Sequence, residues 1–425
     1  MERHRSDPLG VRICGPFSRC CNALRRDNRP AVVETSKTGR AARWCIETML
    51  VATILVCPSA LVSNGIGAVP GASPTVRSGQ PLKVHSAGVA VSSKRAKGEI
   101  PDGYGPAELR KAYGLPSAAP RPQTIAIVTA FDDPSAERDL GVYSTTFSLP
   151  VCTTANGCFR KVNGLGQANS LPRVDSSWAL ETSLGVQVAH GVCPNCRILL
   201  VEATSDSLVD LLAAVDTAAN LGANEISISW GVAEFSTESL YDFHFNRPGI
   251  AITASSGDSG YGVEWPAASP YVTAVGGTTL TLKTSGARAG EKAWKNGGSG
   301  CSAFEPKPNW QKDEGCPRRT VPDVAVVADP ATGAAVYSSN SDSASGRWLE
   351  IGGTSLGAPL VAAIYALSGD ADQVVASSHP YAHASALFDV LAGSNGDCSP
   401  DYLCTAGVGY DGPTGLGSPN GIAGF

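Results

Sequence analysis

Methionine is scarce in this 425-residue chain. There are two, Met1 and Met49, so Met49 is a second candidate start. Charge is low as well: 17% of residues are Asp, Glu, Lys or Arg against 43% hydrophobic. A chain of that balance has the material for a large core and does not read as disordered. A basic excess is missing, with a formal net charge of −5, which argues against nucleic acid as a partner. No fixed-period repeat occurs. The apolar run Met49–Val62 is 14 residues long and broken by Pro58, short of the ~20 that a bilayer span needs. What the chain has instead is 47 Gly, 29 Pro and 13 Cys. That is a loop-rich globular composition, neither collagen nor coiled coil, and rich in cysteine for a cytosolic enzyme.

The first 48 residues hold ten Lys/Arg against five Asp/Glu. The apolar run follows, then the small residues Gly67, Ala68, Gly71 and Ala72. That order predicts a secretory signal, not stable membrane insertion, and an extracellular protein. Residues 1–72 are therefore read as a basic tail with a signal-like segment, 73–100 as a Ser/Gly/Ala-rich linker, and 101–425 as one large domain.

Eight cysteines fall in that domain and group by proximity as Cys152 and Cys158, Cys193 and Cys196, Cys301 and Cys316, and Cys398 and Cys404. Local disulfides are the simplest of the pairings open to eight cysteines, although spacing alone does not fix connectivity. Cys193-Pro-Asn-Cys196 also has zinc-ligand spacing, yet no second CxxC or HxxxH follows. The other five cysteines lie in residues 1–72.

Strand-length apolar runs recur at Thr124–Ala130, Ile198–Glu202, Glu225–Trp230, Ile250–Ser255, Val272–Val275 and Val324–Val327. Near-continuous apolar runs suit strands buried on both faces of a parallel sheet. Helical stretches are expected at Ser135–Ser148, Trp178–His190 and Ser207–Leu221, between the strands. The alternation predicts an α/β fold with a mostly parallel central sheet and helices on both faces. Ligands in such sheets sit beyond the carboxyl ends of the strands.

Three segments there can carry chemistry. Gly352-Gly353-Thr354-Ser355-Leu356-Gly357-Ala358-Pro359 precedes an apolar helix expected from Leu360 to Leu367. A serine at a helix mouth has free N–H groups around it that can hold an oxyanion, though it can equally be an N-cap. Ser255-Ser256-Gly257-Asp258-Ser259-Gly260 follows a buried strand. Asp258 there is a turn former or a protonated acid that donates to developing negative charge. The helix Trp178–His190 has one carboxylate, Glu181, with Asp175, Ser176 and Ser177 as candidate caps. A partner orienting Glu181 belongs four residues on, on the same helix face. That position is Gly185.

Together these segments resemble the sedolisins, the serine-carboxyl peptidases that share the subtilisin-like fold. The resemblance covers about 101–425 and extends to Ser229-Trp230-Gly231, to Pro266-Ala267-Ala268-Ser269-Pro270-Tyr271-Val272, and to Val188-Ala189-His190-Gly191 with Pro194 and Ile198. It implies Ser355 as nucleophile, Glu181 as general base and Asp258 as the acid at the oxyanion. It implies polypeptide substrates, a monomer, and one Ca2+ held by the Asp389 and Asp411 side chains and the carbonyls of Val390, Gly407 and Gly409. All-oxygen ligation with two carboxylates suits that hard cation.

The chain departs from the family pattern at Gly185, where the family has Asp, and at Thr129, where a second acid usually supports that Asp. Asp132 and Asp133 lie just beyond Thr129 as candidate substitutes. The family's long pro-segment has no counterpart in residues 73–100. Two functions follow: an exported endopeptidase, acid-active because a glutamate base titrates below a histidine, or a catalytically silent homologue used for binding or structure. A subtilisin with His190 as base and a calcium-binding adhesin are the lesser alternatives.

Overall fold

The structure, a computed structural model, describes residues 102–339 and 346–425 with the backbone of two short strands before them. Thr75–Phe425 forms one compact unit. The signal-like segment and basic tail expected in residues 1–72 lie outside the described residues. The short strands are β1 (His85–Ser86) and β2 (Ala90–Val91), followed by α1 (Pro106–Ala112). Then come β3 (Thr124–Ala130), α2 (Ala136–Thr146), β4 (Phe159–Asn163), α3 (Ser176–Val192), β5 (Arg197–Ala203) and α4 (Leu208–Asn220). Next are β6 (Glu225–Ile228), β7 (Trp230–Ala233), β8 (Ala251–Ser255), β9 (Glu264–Trp265), β10 (Thr273–Leu282) and β11 (Arg288–Ala293). The last that bear on the site are β12 (Gly300–Pro306), β13 (Arg318–Val321), β14 (Val324–Val327), β15 (Ala334–Ser338), β16 (Arg347–Gly352) and α5 (Thr354–Ser368).

The central sheet runs β4-β5-β3-β6-β8-β10, all parallel. The long β10 serves three neighbours. Its start pairs with β8, its middle with β14 in parallel, and its end with β11 in antiparallel register. Alternation along β3 sends side chains to opposite faces. Ile125 and Ile127 pack with Leu184, Val188 and Leu360 of α3 and α5, while Ala126 and Val128 pack with Leu211, Leu212 and Val215 of α4. Both faces are thus covered, as expected for an α/β, subtilisin-like fold. Each fully buried Leu, Ile or Val there contributes roughly 1.5–3 kcal/mol.

Two expected elements differ in ways that shape the site. The run Glu225–Trp230 is not one strand: it breaks at Ser229 between β6 and β7. The helix expected from Leu360 starts six residues earlier, at Thr354, and Pro359 lies inside it. Proline has no N–H, so the carbonyl four residues behind it, that of Ser355, loses its helical donor. The Ser229 hydroxyl supplies the donor instead, Oγ to Ser355 O at 3.1 Å. Side-chain replacement of one backbone donor lets the helix extend back through the proline.

Within 73–100, β1 lies antiparallel to β7 with His85 opposite Gly231, and β2 lies antiparallel to β16 with Val91 opposite Ile351. The chain therefore passes both the Trp230–Gly231 segment and the strand that leads to Ser355. The four local disulfides are all formed: Cys152–Cys158, Cys193–Cys196, Cys301–Cys316 and Cys398–Cys404. Disulfide bonding of Cys193 to Cys196 removes the zinc reading of that pair.

Candidate active site

Helix α3 starts where its cap is. The Asp175 carboxylate accepts from the Ser177 and Trp178 amides, satisfying donors that have no partner inside the helix. Six residues on, Glu181 points into the protein and is 1% exposed. Helix α5 packs alongside α3 and carries Ser355 as its second residue. Gly353 before it has φ +100°, a backbone region that glycine enters freely. Ser355 is fully buried and its hydroxyl makes no hydrogen bond. A capping serine would spend that hydroxyl on a helix amide, so the cap reading falls.

Asp258 follows β8 in the turn Ser256–Gly257–Asp258. Its Oδ1 accepts from the Thr354 amide at 2.7 Å and the Thr354 hydroxyl at 2.8 Å. Its Oδ2 is buried without a partner. Burial pushes the carboxyl up to about 7, the two Thr354 donors oppose that shift, and the Glu264 charge adds to it. A proton on Oδ2 would have nothing to donate to except a group entering the site.

Glu181 lies against both the Ser355 and the Ser229 hydroxyls, and the Asp258 charge reaches it. Burial lifts Glu181 to about 8, the hydroxyls pull it down, and Asp258 raises it again. Among the described residues neither hydroxyl is aligned into a hydrogen bond with Glu181, and both Glu181 oxygens lack a hydrogen-bond partner. The three expected residues therefore converge. Burial is the largest cause of the Glu181 shift, as expected for a desolvated carboxyl.

The candidate substitutes for the missing acids bond to other groups. Thr129 receives a hydrogen bond from Thr182 at 3.0 Å. Asp132 pairs with Lys161 at 2.5 Å. Asp133 accepts from the Ser183 hydroxyl at 3.2 Å and the Ser135 amide at 2.8 Å. His190 is also elsewhere: its Nε2 lies 3.0 Å from the Pro150 carbonyl, beside Cys152 and Cys158. That position corrects the reading of His190 as the base.

At a second place the Asp389 and Asp411 carboxyls lie near each other. Asp389 accepts from the Gly409 amide at 2.9 Å, and Asp411 from the Gly407 and Thr414 amides at 2.9 Å each. Burial, with the Asp389 charge beside it, pushes Asp411 to about 7, a penalty that a cation between the two would remove. Among the described residues, the carbonyls of Val390, Gly407 and Gly409 accept no backbone hydrogen bond from other loops. Two carboxylates with three free carbonyls fit a hard divalent cation.

Beside Asp258 is a cavity of about 160 Å³ walled by Ser256, Gly257, Tyr261, Val263, Glu264 and Gly298. A larger one of about 450 Å³, walled by Phe245, Tyr271, Pro306 and Trp310, contains none of the three convergent residues. Sequence reasoning missed Ser229, Thr354 and Glu264 as neighbours of the site. Pro359, four residues after Ser355, was the available signal for Ser229, since it leaves a carbonyl that something must satisfy.

Residues 166–379 match the sequence profile of the subtilase family. Kumamolisin of Bacillus sp. (strain MN-32) is 30% identical over 371 residues, covering 77% of this chain and 64% of that protein. Sedolisin of Pseudomonas sp. (strain 101) is 28% identical over 397 residues, covering 83% and 65%. Among solved structures, Pseudomonas sedolisin, a serine-carboxyl proteinase complexed with two molecules of pseudo-iodotyrostatin, superposes with a TM-score of 0.65 at 28% identity. That match covers 76% of this chain and 96% of the other. The chain spans just under two thirds of the length of both curated relatives.

Proposed function

This chain belongs to the subtilase family, with the sedolisins as its relatives, and from that premise we propose that it is an exported serine-type endopeptidase. The observation that carries the proposal is the free, buried Ser355 hydroxyl facing the Glu181 carboxylate, with a carboxyl of Asp258 half-tied to Thr354. Glu181 takes the hydroxyl proton as Ser355 Oγ attacks the substrate carbonyl. Protonated Asp258 donates to the oxyanion, which is the charge that develops in the transition state. Glu181 then passes its proton to the departing amine, leaving an acyl-enzyme. Water, activated by the same carboxylate, attacks the acyl group and releases the acid and the serine.

The two carboxyls set the pH range. With Glu181 at about 8 and Asp258 at about 7, the form with Glu181 ionised and Asp258 protonated is most populated near about pH 7.5. Glu181 ionisation limits the acid side of the profile and Asp258 ionisation the alkaline side. Four disulfides support an oxidising location outside the cell. A site complete within one chain supports action as a monomer on polypeptide substrates. One Ca2+ at Asp389, Val390, Gly407, Gly409 and Asp411 would hold the loops 389–390 and 407–411 together by charge neutralisation.

Casein or peptide hydrolysis by wild type and Ser355→Ala between pH 4 and 9 tests this reading. Wild type is expected to cleave and the variant to lose cleavage; equal rates would overturn it. Gly185 and Thr129 favour a second reading, a silent homologue that binds peptides, and equal low rates with retained peptide binding would establish that one.

A further inference from the structure

The cavity of about 160 Å³ beside Asp258 has the form of a built slot. Small-molecule pockets run to ~300–1,000 Å³, so this one suits a single side chain. Its walls are tied together through the backbone. The Gly298 amide donates to the Gly257 carbonyl at 2.7 Å, the Gly260 amide to the Asn296 carbonyl at 2.8 Å, and the Gly262 amide to the Ser299 carbonyl at 2.8 Å. Asp258 stands between two wall residues, Gly257 and Ser259. It holds the Thr354 amide at 2.7 Å, one residue before Ser355. On the acyl side of a scissile bond, the side chain closest to the attacked carbonyl is that of the residue that supplies it. A carbonyl attacked by Ser355 beside Asp258 therefore brings that side chain to the slot.

Among the described residues, Glu264 of β9 is the one charged side chain in the wall. Its place is marked by two glycines. A Cβ on Gly257 would stand 2.9 Å from Cδ and Oε1 of Glu264, and a Cβ on Gly231 would stand 2.6 Å from Oε2. The carboxylate thus lies close over the backbone of both β7 and the Asp258 turn, where a larger residue at either position would displace it. Ala233 and Val263 add apolar lining. An apolar stem with a cationic tip matches that combination, and lysine and arginine have that form. A wholly apolar side chain would strip water from the carboxylate and return nothing, and an acidic one would be repelled. We propose that Glu264 selects lysine or arginine as the residue that supplies the attacked carbonyl.

The proposal rests on the reading of the site as a peptide hydrolase, and its test separates the two. Peptide p-nitroanilides that differ only in the residue before the anilide, Lys, Arg, Leu or Glu, are compared by kcat/KM at one pH and low ionic strength. Wild type is expected to favour Lys and Arg over Leu by at least about 10-fold, and over Glu by more. Glu264→Gln keeps the shape and is expected to bring the Lys-to-Leu ratio to within about threefold of one. Both rates in that ratio come from one enzyme, so it is blind to any change in Asp258, whose carboxyl the Glu264 charge raises. Binding is read separately by calorimetry, with tetrapeptide amides ending in Lys or Leu on Ser355→Ala with and without Glu264→Gln. The Lys peptide is expected to bind at least about 10-fold more tightly than the Leu peptide, through Glu264. Cleavage by wild type without the cationic preference, or a preference that survives Glu264→Gln, would overturn the proposal. Should Glu264→Gln fail to fold, the wild-type series still decides, since equal rates on Lys and Leu refute it. No cleavage, with Lys binding still dependent on Glu264, would overturn the peptidase reading alone; no cleavage and no difference in binding would overturn both.

Discussion

A Cβ placed on Gly185 would stand 2.8 Å from Cγ2 of Ile127. The position four residues after the base has therefore been closed by a neighbour, not left vacant. Ile127 is 3% exposed on β3 and presses on α3 where an acid would otherwise point at Glu181. Overpacking of this kind costs about 1–3 kcal/mol. Gly185→Asp alone is expected to lower the melting temperature by several degrees without raising kcat. Ile127→Ala with Gly185→Asp makes room, and kcat is expected to rise at least about 10-fold over wild type. Thermal melts and steady-state kinetics on wild type and the two variants check it; a rate gain in the single variant would show that Ile127 does not block the position.

Asp258 sets the alkaline limit of the pair through its proton. Burial raises it to about 7, so below that pH it is mostly neutral and above it mostly charged. Asp258→Asn replaces the carboxyl with an amide that donates at every pH. The Asp258 charge also raises Glu181, so its removal brings Glu181 below its present value of about 8. The expected kcat/KM profile loses its bell shape, climbs with pH as Glu181 ionises, and stays level above. A profile still falling on the alkaline side would mean that Asp258 is not the acid in question.

How much of this was legible in the sequence follows from which interactions are local. The parallel sheet showed in runs such as Thr124–Ala130 because burial on both faces leaves no polar positions to confuse the period. The strands β4, β7, β9, β11, β12, β13, β15 and β16 did not show, being short or half-exposed and defined by partners far along the chain. Glu181, Asp258 and Ser355 were singled out through the segments that carry them. Ser229 was not found, because its role depends on a carbonyl that Pro359 leaves free on another element. The closure of position 185 was equally hidden, since Ile127 reaches it from a strand 58 positions earlier in the numbering.

Calcium removal offers an independent check on the loop 407–411. Asp389 and Asp411 repel each other when no cation lies between them, and their present donors are neutral: the Gly407, Gly409 and Thr414 amides and the Thr414 hydroxyl. Excess EDTA is expected to lower the melting temperature by about 5 °C, with recovery on adding Ca2+. Asp411→Asn is expected to weaken Ca2+ binding at least about 10-fold by calorimetry. A melting temperature indifferent to both EDTA and Ca2+ would remove the ion from the description.

Stability should fall as pH rises, owing to a cluster of carboxyls that burial holds protonated. Glu238, Asp242 and Glu305 gather between β7 and β12, nearly or fully buried, with Glu234 close by. Burial lifts Glu238 to about 8 and Glu305 to about 9, and the neighbouring acids push in the same direction. Asp242 is raised by burial too, against hydrogen bonds from Ser269 and Trp265 and the Arg319 charge. Unfolded carboxyls titrate near ~4. Between ~4 and 8–9 the folded chain holds protons that the unfolded chain has released, so folding becomes less favourable with each step in pH. Below ~4 both states are protonated and the penalty vanishes. Glu305→Gln removes one such proton and keeps the shape. Its melting temperature is expected to match wild type at pH 4.5 and to exceed it by about 3 °C at pH 9. A constant difference between the two proteins across that range would show that Glu305 keeps an ordinary carboxylate pKa in the fold.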